Sequence, residues 1–318
     1  MLPIRLLTAA VSGCLASPAF ALNILLTNDD GLTPNLQALQ SALVSAGHSV
    51  VVSVPCTNQS GKGMSLTYLR PLTTLQSDCR NGAARAGDPA VGSIASMDNA
   101  YYVDGTPAMA TLHGLDVLAP RYWGALPDLV LSGPNEGANV GPLVSMSGTV
   151  SNSQIALFRG VPAVAISAHM STEKQPELAP EVAGLTMTFL AQLKADPQSG
   201  ALLPPGVGIN INYPEFALGE SAALEWGYSV YGSYDPAPIM FVADLSQDPL
   251  GARYGMPAYP GITADVRRDT SFPEAQQDDM GVLTSTGRIA VTAMQLGYEA
   301  TPPVRQWLRL NFRELLGE

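Results

Sequence analysis

The stretch Asn23-Ile24-Leu25-Leu26-Thr27-Asn28-Asp29-Asp30-Gly31 decides the fold. Its first half is an apolar run of strand type. It ends in an amide, two adjacent carboxylates and a glycine, after which the pattern turns helical. Leu36, Leu39, Leu43 and Val44 fall on one helix face, and Gly47 stands where such a helix ends. Ser49 to Val54 is a β-branched run that Pro55 stops. A strand–helix–strand unit of this kind crosses over right-handed and leaves its strands parallel. In an open α/β sheet, ligands bind outside the carboxyl ends of the strands, so Asp29 and Asp30 fall where chemistry is done. Two neighbouring carboxylates repel each other unless a cation holds them together. Taken alone, Asn-Asp-Asp-Gly is also an ordinary turn.

The rest of the chain continues the alternation. Residues 76–100 are irregular and read as a surface excursion. Tyr101-Tyr102-Val103 is a short strand entering Gly105-Thr106-Pro107, where Thr106 can cap a helix with Pro107 at its first position. Asp128 to Ser132 is a buried strand running into Gly133-Pro134-Asn135-Glu136-Gly137-Ala138-Asn139-Val140-Gly141. Ser147-Gly148-Thr149 opens a helix carrying Val150, Ile155, Leu157 and Phe158. Pro162 to Ser167 and Val207 to Asn212 are further strands, separated by an amphipathic helix through Val182, Leu185 and Phe189. From about residue 215 to 276, aromatics, prolines and glycines alternate without helical period; a strand over Arg288 to Met294 and a helix over Val304 to Leu316 close the chain. The expectation is an α/β fold: a Rossmann-like three-layer sandwich with a mostly parallel sheet over residues 22–214. A β-hairpin-rich extension follows over 215–318, suited to oligomer contacts.

Four loops leave strand ends on one rim: Asn28-Asp29-Asp30, Asn58 to Ser60, Asn135 to Asn139, and Ser147 to Thr149. Their donor atoms are oxygens, which suits a hard cation that keeps some of its water, Mg²⁺ or Mn²⁺. His48, His113 and His169 are scattered and no Cys-x-x-Cys exists, so nothing here has a zinc pattern. Each loop also has a plainer reading. Asn135 and Asn139 among glycines form left-handed turns, and Ser147 is a good N-cap, although a helix N-terminus also binds phosphate. Lys62 is either a charge-neutralising group near the site or a solvated loop lysine.

Composition narrows the partners. The net charge is −11 over 318 residues, which excludes a role built on contact with duplex nucleic acid. No run is long and apolar enough to span a bilayer. Arg5, the apolar stretch from Leu6 to Leu15, and Ala19-Phe20-Ala21 read as a signal peptide, residues 1–21, so the expected location is periplasmic or secreted. A second reading makes Val11-Ser12-Gly13-Cys14 a lipoprotein box with Cys14 lipidated. Export leaves Cys56 and Cys79 as a pair in an oxidising compartment, either joined as a disulfide or two small buried residues.

Ile24 to Gly31, Asn58 to Thr67, Gly105-Thr106-Pro107, Pro127 to Gly141 and Ser147 to Ser167 together resemble the SurE family, survival-protein phosphatases acting on nucleoside monophosphates. Ser132 to Gly141 is similar to that family's Ser-Gly-x-Asn-x-Gly-x-Asn-x-Gly loop, and Asn210 to Pro214 to its Asn-x-Asn-x-Pro strand. The resemblance implies one divalent cation on Asp29, Asp30, Ser60 and Asn135. It implies phosphate held by Asn28, Asn139 and Ser147-Gly148-Thr149, with Asp29, Asp30 and Asn139 in catalysis. It also implies a homodimer or homotetramer. The chain departs from the pattern in its leader, in Pro55-Cys56 where the family has Pro-Asp, in Leu32-Thr33-Pro34-Asn35, and in Val291 to Met294. Residues 215–276 match poorly.

The implied reaction is metal-dependent hydrolysis of a phosphate monoester, with either a water or one of the two aspartates as nucleophile. Two rivals use the same residues otherwise: an exported solute-binding protein for a phosphorylated or sugar ligand, and a glycosyltransferase that holds a metal-bound nucleotide on Asp29 and Asp30.

Overall fold

A computed structural model of the chain describes residues 21–193, 195, 198–232, 238–265, 278–298 and 300–316. The leader expected over residues 1–21, Cys14 included, lies outside them except for Ala21. In chain order the strands are β1 (Asn23–Thr27), β2 (Ser49–Pro55), β3 (Val91–Ser93), β4 (Ala100–Val103), β5 (Leu129–Glu136), β6 (Ala163–Ala168), β7 (Val207–Asn212), β8 (Trp226–Ser229), β9 (Ile239–Val242), β10 (Gly261–Ala264) and β11 (Ile289–Gln295). Nine of them form one sheet in the order β3-β4-β2-β1-β5-β6-β7-β11-β8. From β4 to β7 every pairing is parallel; β3 and β11 are the antiparallel additions, and β8 runs parallel to β11. The expected α/β architecture is therefore present, with β9 and β10 as a separate antiparallel pair.

Parallel neighbours require crossovers, and helices supply them. They are α1 (Pro34–Ser45), α2 (Pro107–His113), α3 (Ala119–Trp123), α4 (Gly148–Phe158) and α5 (Ala179–Leu190). One wide turn over Gly114–Leu118 joins α2 to α3. Thr33, Thr106 and Ser147 each accept an amide of the first turn of α1, α2 and α4, and Pro34 and Pro107 occupy first helical positions.

Side chains of β1 alternate between two cores. Ile24 and Leu26 pack with Leu36, Leu39, Leu43 and Val182, on the face covered by α1 and α5. Leu25 packs with Ala108, Leu115 and Ile155, on the face covered by α2 and α4. Gly114 permits that second contact, since a Cβ there would lie 2.5 Å from Leu25 Cδ1. Each fully buried Leu or Ile contributes about 1.5–3 kcal/mol, so Leu26→Ala would cost several kcal/mol once its cavity is included.

Two expectations are corrected. Val44 and Phe158 are exposed, because each follows the true inward position, Leu43 or Leu157, by one residue and is rotated about 100° away. Nor is the 76–100 segment a free excursion: it holds β3 and is joined to the end of β2 by a Cys56–Cys79 disulfide, Cα–Cα 4.7 Å. The disulfide alternative for the two cysteines therefore holds.

Beyond residue 214 the chain adds β8 and β11 to the sheet edge and forms α6 (Pro249–Arg253), α7 (Asp279–Ser285), α8 (Pro302–Asn311) and α9 (Arg313–Leu316). No residue of α8 or α9 is buried, and Val304, Trp307, Leu308, Leu310 and Phe312 face solvent in the described chain. Among the described residues no helix is long and apolar enough to cross a membrane.

Candidate active site

The end of β1 is closed by Asn28. Its Nδ2 donates to Gly31 O at 2.7 Å, its Oδ1 accepts from the Gly31 amide at 3.1 Å, and its own carbonyl accepts from Asn152 Nδ2 at 3.1 Å. Gly31 has φ of +82°, and a Cβ there would lie 3.0 Å from Pro55 O, so the turn requires glycine. The turn leaves two adjacent carboxylates almost without solvent: Asp29 is 3% exposed and Asp30 1%.

Each carboxylate is held from two sides. The Thr149 hydroxyl donates to Asp29 Oδ1 at 2.6 Å, and the Gly148 amide also bonds this carboxylate. A Cβ on Gly148 would sit 2.6 Å from Asp29 Cβ, so glycine is what lets the first turn of α4 rest on the acid. Asp30 Oδ1 accepts from Asn58 Nδ2 at 2.9 Å, and its Oδ2 accepts from the Glu136 amide at 3.0 Å. Arg80 reaches in from the disulfide-bound loop. Its Nη1 donates to the Asp30 carbonyl at 3.0 Å, and its Nη2 meets Glu136 Oε2 at 2.6 Å.

Burial pushes the Asp29 carboxyl above the usual carboxylate range, against the pull of Thr149 and Gly148. Burial, and after it the charge of Asp29, push Asp30 up to about 7; the Glu136 amide and Arg80 oppose this. Two acids forced together in a dry site are a standing demand for positive charge.

The amide side chains come from β5 and the loop after it. The pairing of β5 with β6 shifts register between Ser132 and Asn135, a bulge around Gly133-Pro134. Gly133 has φ of +123°, and a Cβ there would lie 2.1 Å from Ile166 O. Bulges of this kind re-aim the side chain that follows. Here that side chain is Asn135, whose Nδ2 donates to Gly137 O at 2.7 Å while its buried Oδ1 has no hydrogen-bond partner. Asn139 is fixed at every polar backbone atom. Its amide donates to Asn212 Oδ1 at 2.7 Å, its carbonyl accepts from Asn210 and Asn212, and its Nδ2 donates to Ser167 Oγ at 2.9 Å.

The residues expected from the sequence fall into separate hydrogen-bonded groups, one around Asp29 and Asp30 with Asn28, Asn58 and Thr149, another tying Asn139 to Ser167, Asn210 and Asn212, and their roles are not equal. Asn28 shapes the turn with both side-chain polar atoms. Ser147 caps α4, accepting from the Val150 amide at 3.1 Å. Ser60 is exposed, with its amide donating to Asn58 Oδ1, and it is Asn58 that bonds Asp30. The Gln59 amide donates to Asp29 O at 2.8 Å, which ties this loop to the acids. Lys62 is exposed. The residues the sequence reading missed are Arg80 and Glu136. Glu136 lies inside the Gly133–Gly141 loop, whereas nothing local marks Arg80 apart from its place next to Cys79.

The donor set fits a hard divalent cation. Two carboxylates and the unpartnered Asn135 Oδ1 offer oxygen donors of the kind such an ion takes, and a buried amide oxygen without a donor is costly unless something binds it. Among the described residues no group of three or more His, Cys, Asp or Glu is placed to hold a metal ion by itself.

Fold and site define a class: a Rossmann-like α/β protein whose strand ends gather an acidic, oxygen-only site against a helix N-terminus. Residues 24–232 match the family model described as Survival protein SurE, and the chain belongs to the SurE family. The 5'/3'-nucleotidase SurE of Serratia proteamaculans (strain 568) is 31% identical over 295 residues, 90% of this chain and 96% of that protein. The acid phosphatase of Yarrowia lipolytica (strain CLIB 122 / E 150) is 34% identical over 206 residues, 60% of this chain. The match spans about half the length of that phosphatase, 56%, and of the 5'-nucleotidase SurE of Synechocystis sp. (strain ATCC 27184 / PCC 6803 / Kazusa), 53%. The crystal structure of the SurE protein from Aquifex aeolicus is similar over 91% of this chain and 98% of its own, with a TM-score of 0.62 and 28% identity.

Proposed function

We propose that this chain is a phosphomonoesterase that hydrolyses nucleoside monophosphates to nucleoside and inorganic phosphate, using one divalent cation, Mg²⁺ or Mn²⁺. The observation that carries the reading is the buried Asp29–Asp30 pair, with Asp29 set against the N-terminus of α4, together with the unpartnered Asn135 Oδ1. The nucleotidase and acid phosphatase relatives support the same chemistry.

Asp29, Asp30 and Asn135 would hold the cation, with Ser60 able to complete its shell from the adjoining loop. Such an ion offsets charge on phosphoryl oxygens and favours attack by water at neutral pH. The chain's own groups do the rest. The first turn of α4, Gly148 and Thr149 after the Ser147 cap, together with Asn139, would bind the phosphoryl oxygens. Both aspartates already accept from two donors each, which suits ligands held in fixed orientation better than a nucleophile that must turn toward phosphorus. In this reading water forms the new P–O bond, the ester oxygen leaves, and a proton passes to it.

The same proposal places residues 1–21 as a leader and the mature chain outside the cytoplasm, which the Cys56–Cys79 disulfide supports. It assigns residues 22–214 to the catalytic core and 215–318 to assembly, because the apolar stripe of α8 is not covered by any of the described residues and a second copy would bury it. The test is release of inorganic phosphate from AMP with Mn²⁺ present. Turnover is expected and should vanish in excess chelator; undiminished turnover in chelator overturns the mechanism.

A further inference from the structure

We propose that Arg80 is a positioning residue of this site and that the Cys56–Cys79 disulfide is what holds it in place; the proposal rests on the reading of Asp29 and Asp30 as cation ligands. The loop around Arg80 meets the rim at several points. The Arg80 amide donates to Cys56 O at 2.8 Å, one residue past the end of β2. The neighbouring Asn81 Nδ2 donates to Leu32 O at 2.8 Å, one residue past the acidic turn. A Cβ on Gly31 would lie 3.6 Å from Arg80 Cβ, so the loop rests on the turn itself. With the disulfide closing the base, the guanidinium is aimed between the Asp30 carbonyl and Glu136.

Its geometry explains what it does. The Glu136 side chain is 4% exposed and its ion pair is with Arg80, while its amide is the donor to Asp30 Oδ2. A buried carboxylate deprived of its cation must move or take up a proton. Movement of Glu136 would pull its amide from Asp30, and loss of the Arg80 bond would free the Asp30 carbonyl. Three carboxylates and one guanidinium also leave a net charge of −2 at the site, which one divalent cation offsets. Arg80 therefore acts on the cation through Asp30 and Glu136 rather than by touching it.

This role can be separated from a purely electrostatic or purely structural one. Acting only by charge, the guanidinium repels an incoming cation, so its removal would tighten Mn²⁺ binding. Acting by position, its removal weakens binding, roughly tenfold or more, as for other groups that orient metal ligands.

The experiment is a double-mutant cycle on the oxidised full chain, combining Arg80→Met with the paired change Cys56→Ala and Cys79→Ala. It is read by free Mn²⁺ in electron paramagnetic resonance, by kcat and KM for AMP, and by thermal melting. We expect Arg80→Met and the cysteine pair each to weaken Mn²⁺ binding and lower kcat. The combined variant should be no worse than the worse single change, since both remove one positioned group. Should the cysteine variant not fold, Asn81→Gly removes the second tether while keeping a residue suited to the positive φ of 50°, and a smaller loss of the same kind is expected. Unchanged or tighter Mn²⁺ binding in Arg80→Met, or strictly multiplicative losses, overturns the proposal. If the wild-type chain releases no phosphate from AMP, it is the phosphatase reading that fails, and the Mn²⁺ titration still decides the role of Arg80.

Discussion

The rim at the carboxyl ends of β1, β2 and β5 and the C-terminal α8 break the ordinary rule of burial in opposite directions. The rim buries what should be wet: Asp29, Asp30, Asn135 and Asn139 are each less than a tenth exposed. The far end exposes what should be dry, with Trp307 57% and Leu310 62% accessible. A buried polar cluster is tolerated when its hydrogen bonds and charges are satisfied, and an exposed apolar stripe when something covers it. The rim has satisfied its donors but not its negative charge, and the apolar face of α8 is left uncovered by the described residues. Each anomaly therefore points outward, the first to a small cation and its anionic ligand, the second to a large apolar surface.

The largest effect should come from the rim. Asp29→Asn removes one charge and preserves shape, so activity should fall by more than ~100-fold and Mn²⁺ binding should be lost. Thermal melting without metal should be unchanged or higher, because an unfavourable buried charge has gone. Retained turnover in this variant would sink the assignment of Asp29. Next comes Asn135→Ala, which deletes the unpartnered Oδ1. It should weaken the cation by roughly tenfold with KM for AMP rising in parallel, as measured by Mn²⁺ titration. If affinity is unchanged, the orphaned oxygen is a cost of the bulge and not a ligand.

The other side of the comparison is tested at the stripe. Trp307→Glu with Leu310→Glu should weaken self-association by about thirtyfold, as loss of an apolar anchor does at a typical interface. Sedimentation at several concentrations would show it. Mn²⁺ affinity of the variant should stay at the wild-type level. A chain that is monomeric before the change would remove the reading of α8 as an assembly element.

The sequence exposed some of this plainly and hid the rest for definable reasons. The strand ending in Asn28-Asp29-Asp30-Gly31 is legible because a continuous apolar run stops on polar residues, and the parallel pairing follows from the crossover rule. Asn135 and Asn139 are legible as a pattern among glycines, and the structure shows why: Gly133 and Gly137 have φ of +123° and +144°. Arg80 was not legible, because it meets Asp30 across 50 residues of an irregular segment with no period to read. The misassigned Val44 and Phe158 fail differently. An apolar residue next to the inward position carries the same hydropathy, and only packing against the sheet tells which of the two is covered. Ser147 and Asn28, expected at the phosphate, make local cap and turn hydrogen bonds, a competition that residue type alone does not reveal.

The smallest expected effect is also the one that joins charge to stability. Asp30 is pushed up to about 7 by burial and by Asp29, whereas its unfolded value is near 3.8. Between those values the folded chain binds more protons than the unfolded one, so stability falls as pH rises through this window and is greatest below it. Asp29, also raised, adds to the same slope. Chelator-treated protein should therefore melt a few degrees lower at pH 8 than at pH 5, insofar as these two groups set the slope. Cation binding requires the ionised carboxylates, so it reverses the sign: apparent Mn²⁺ affinity should rise with pH up to about 7 and level off above, with proton release on binding. In Asp30→Asn both slopes should flatten. If the wild-type chain without metal melts at the same temperature across that range, the acids are ionised in place by a partner inside the chain, and Arg80 rather than a cation is the charge they were built to hold.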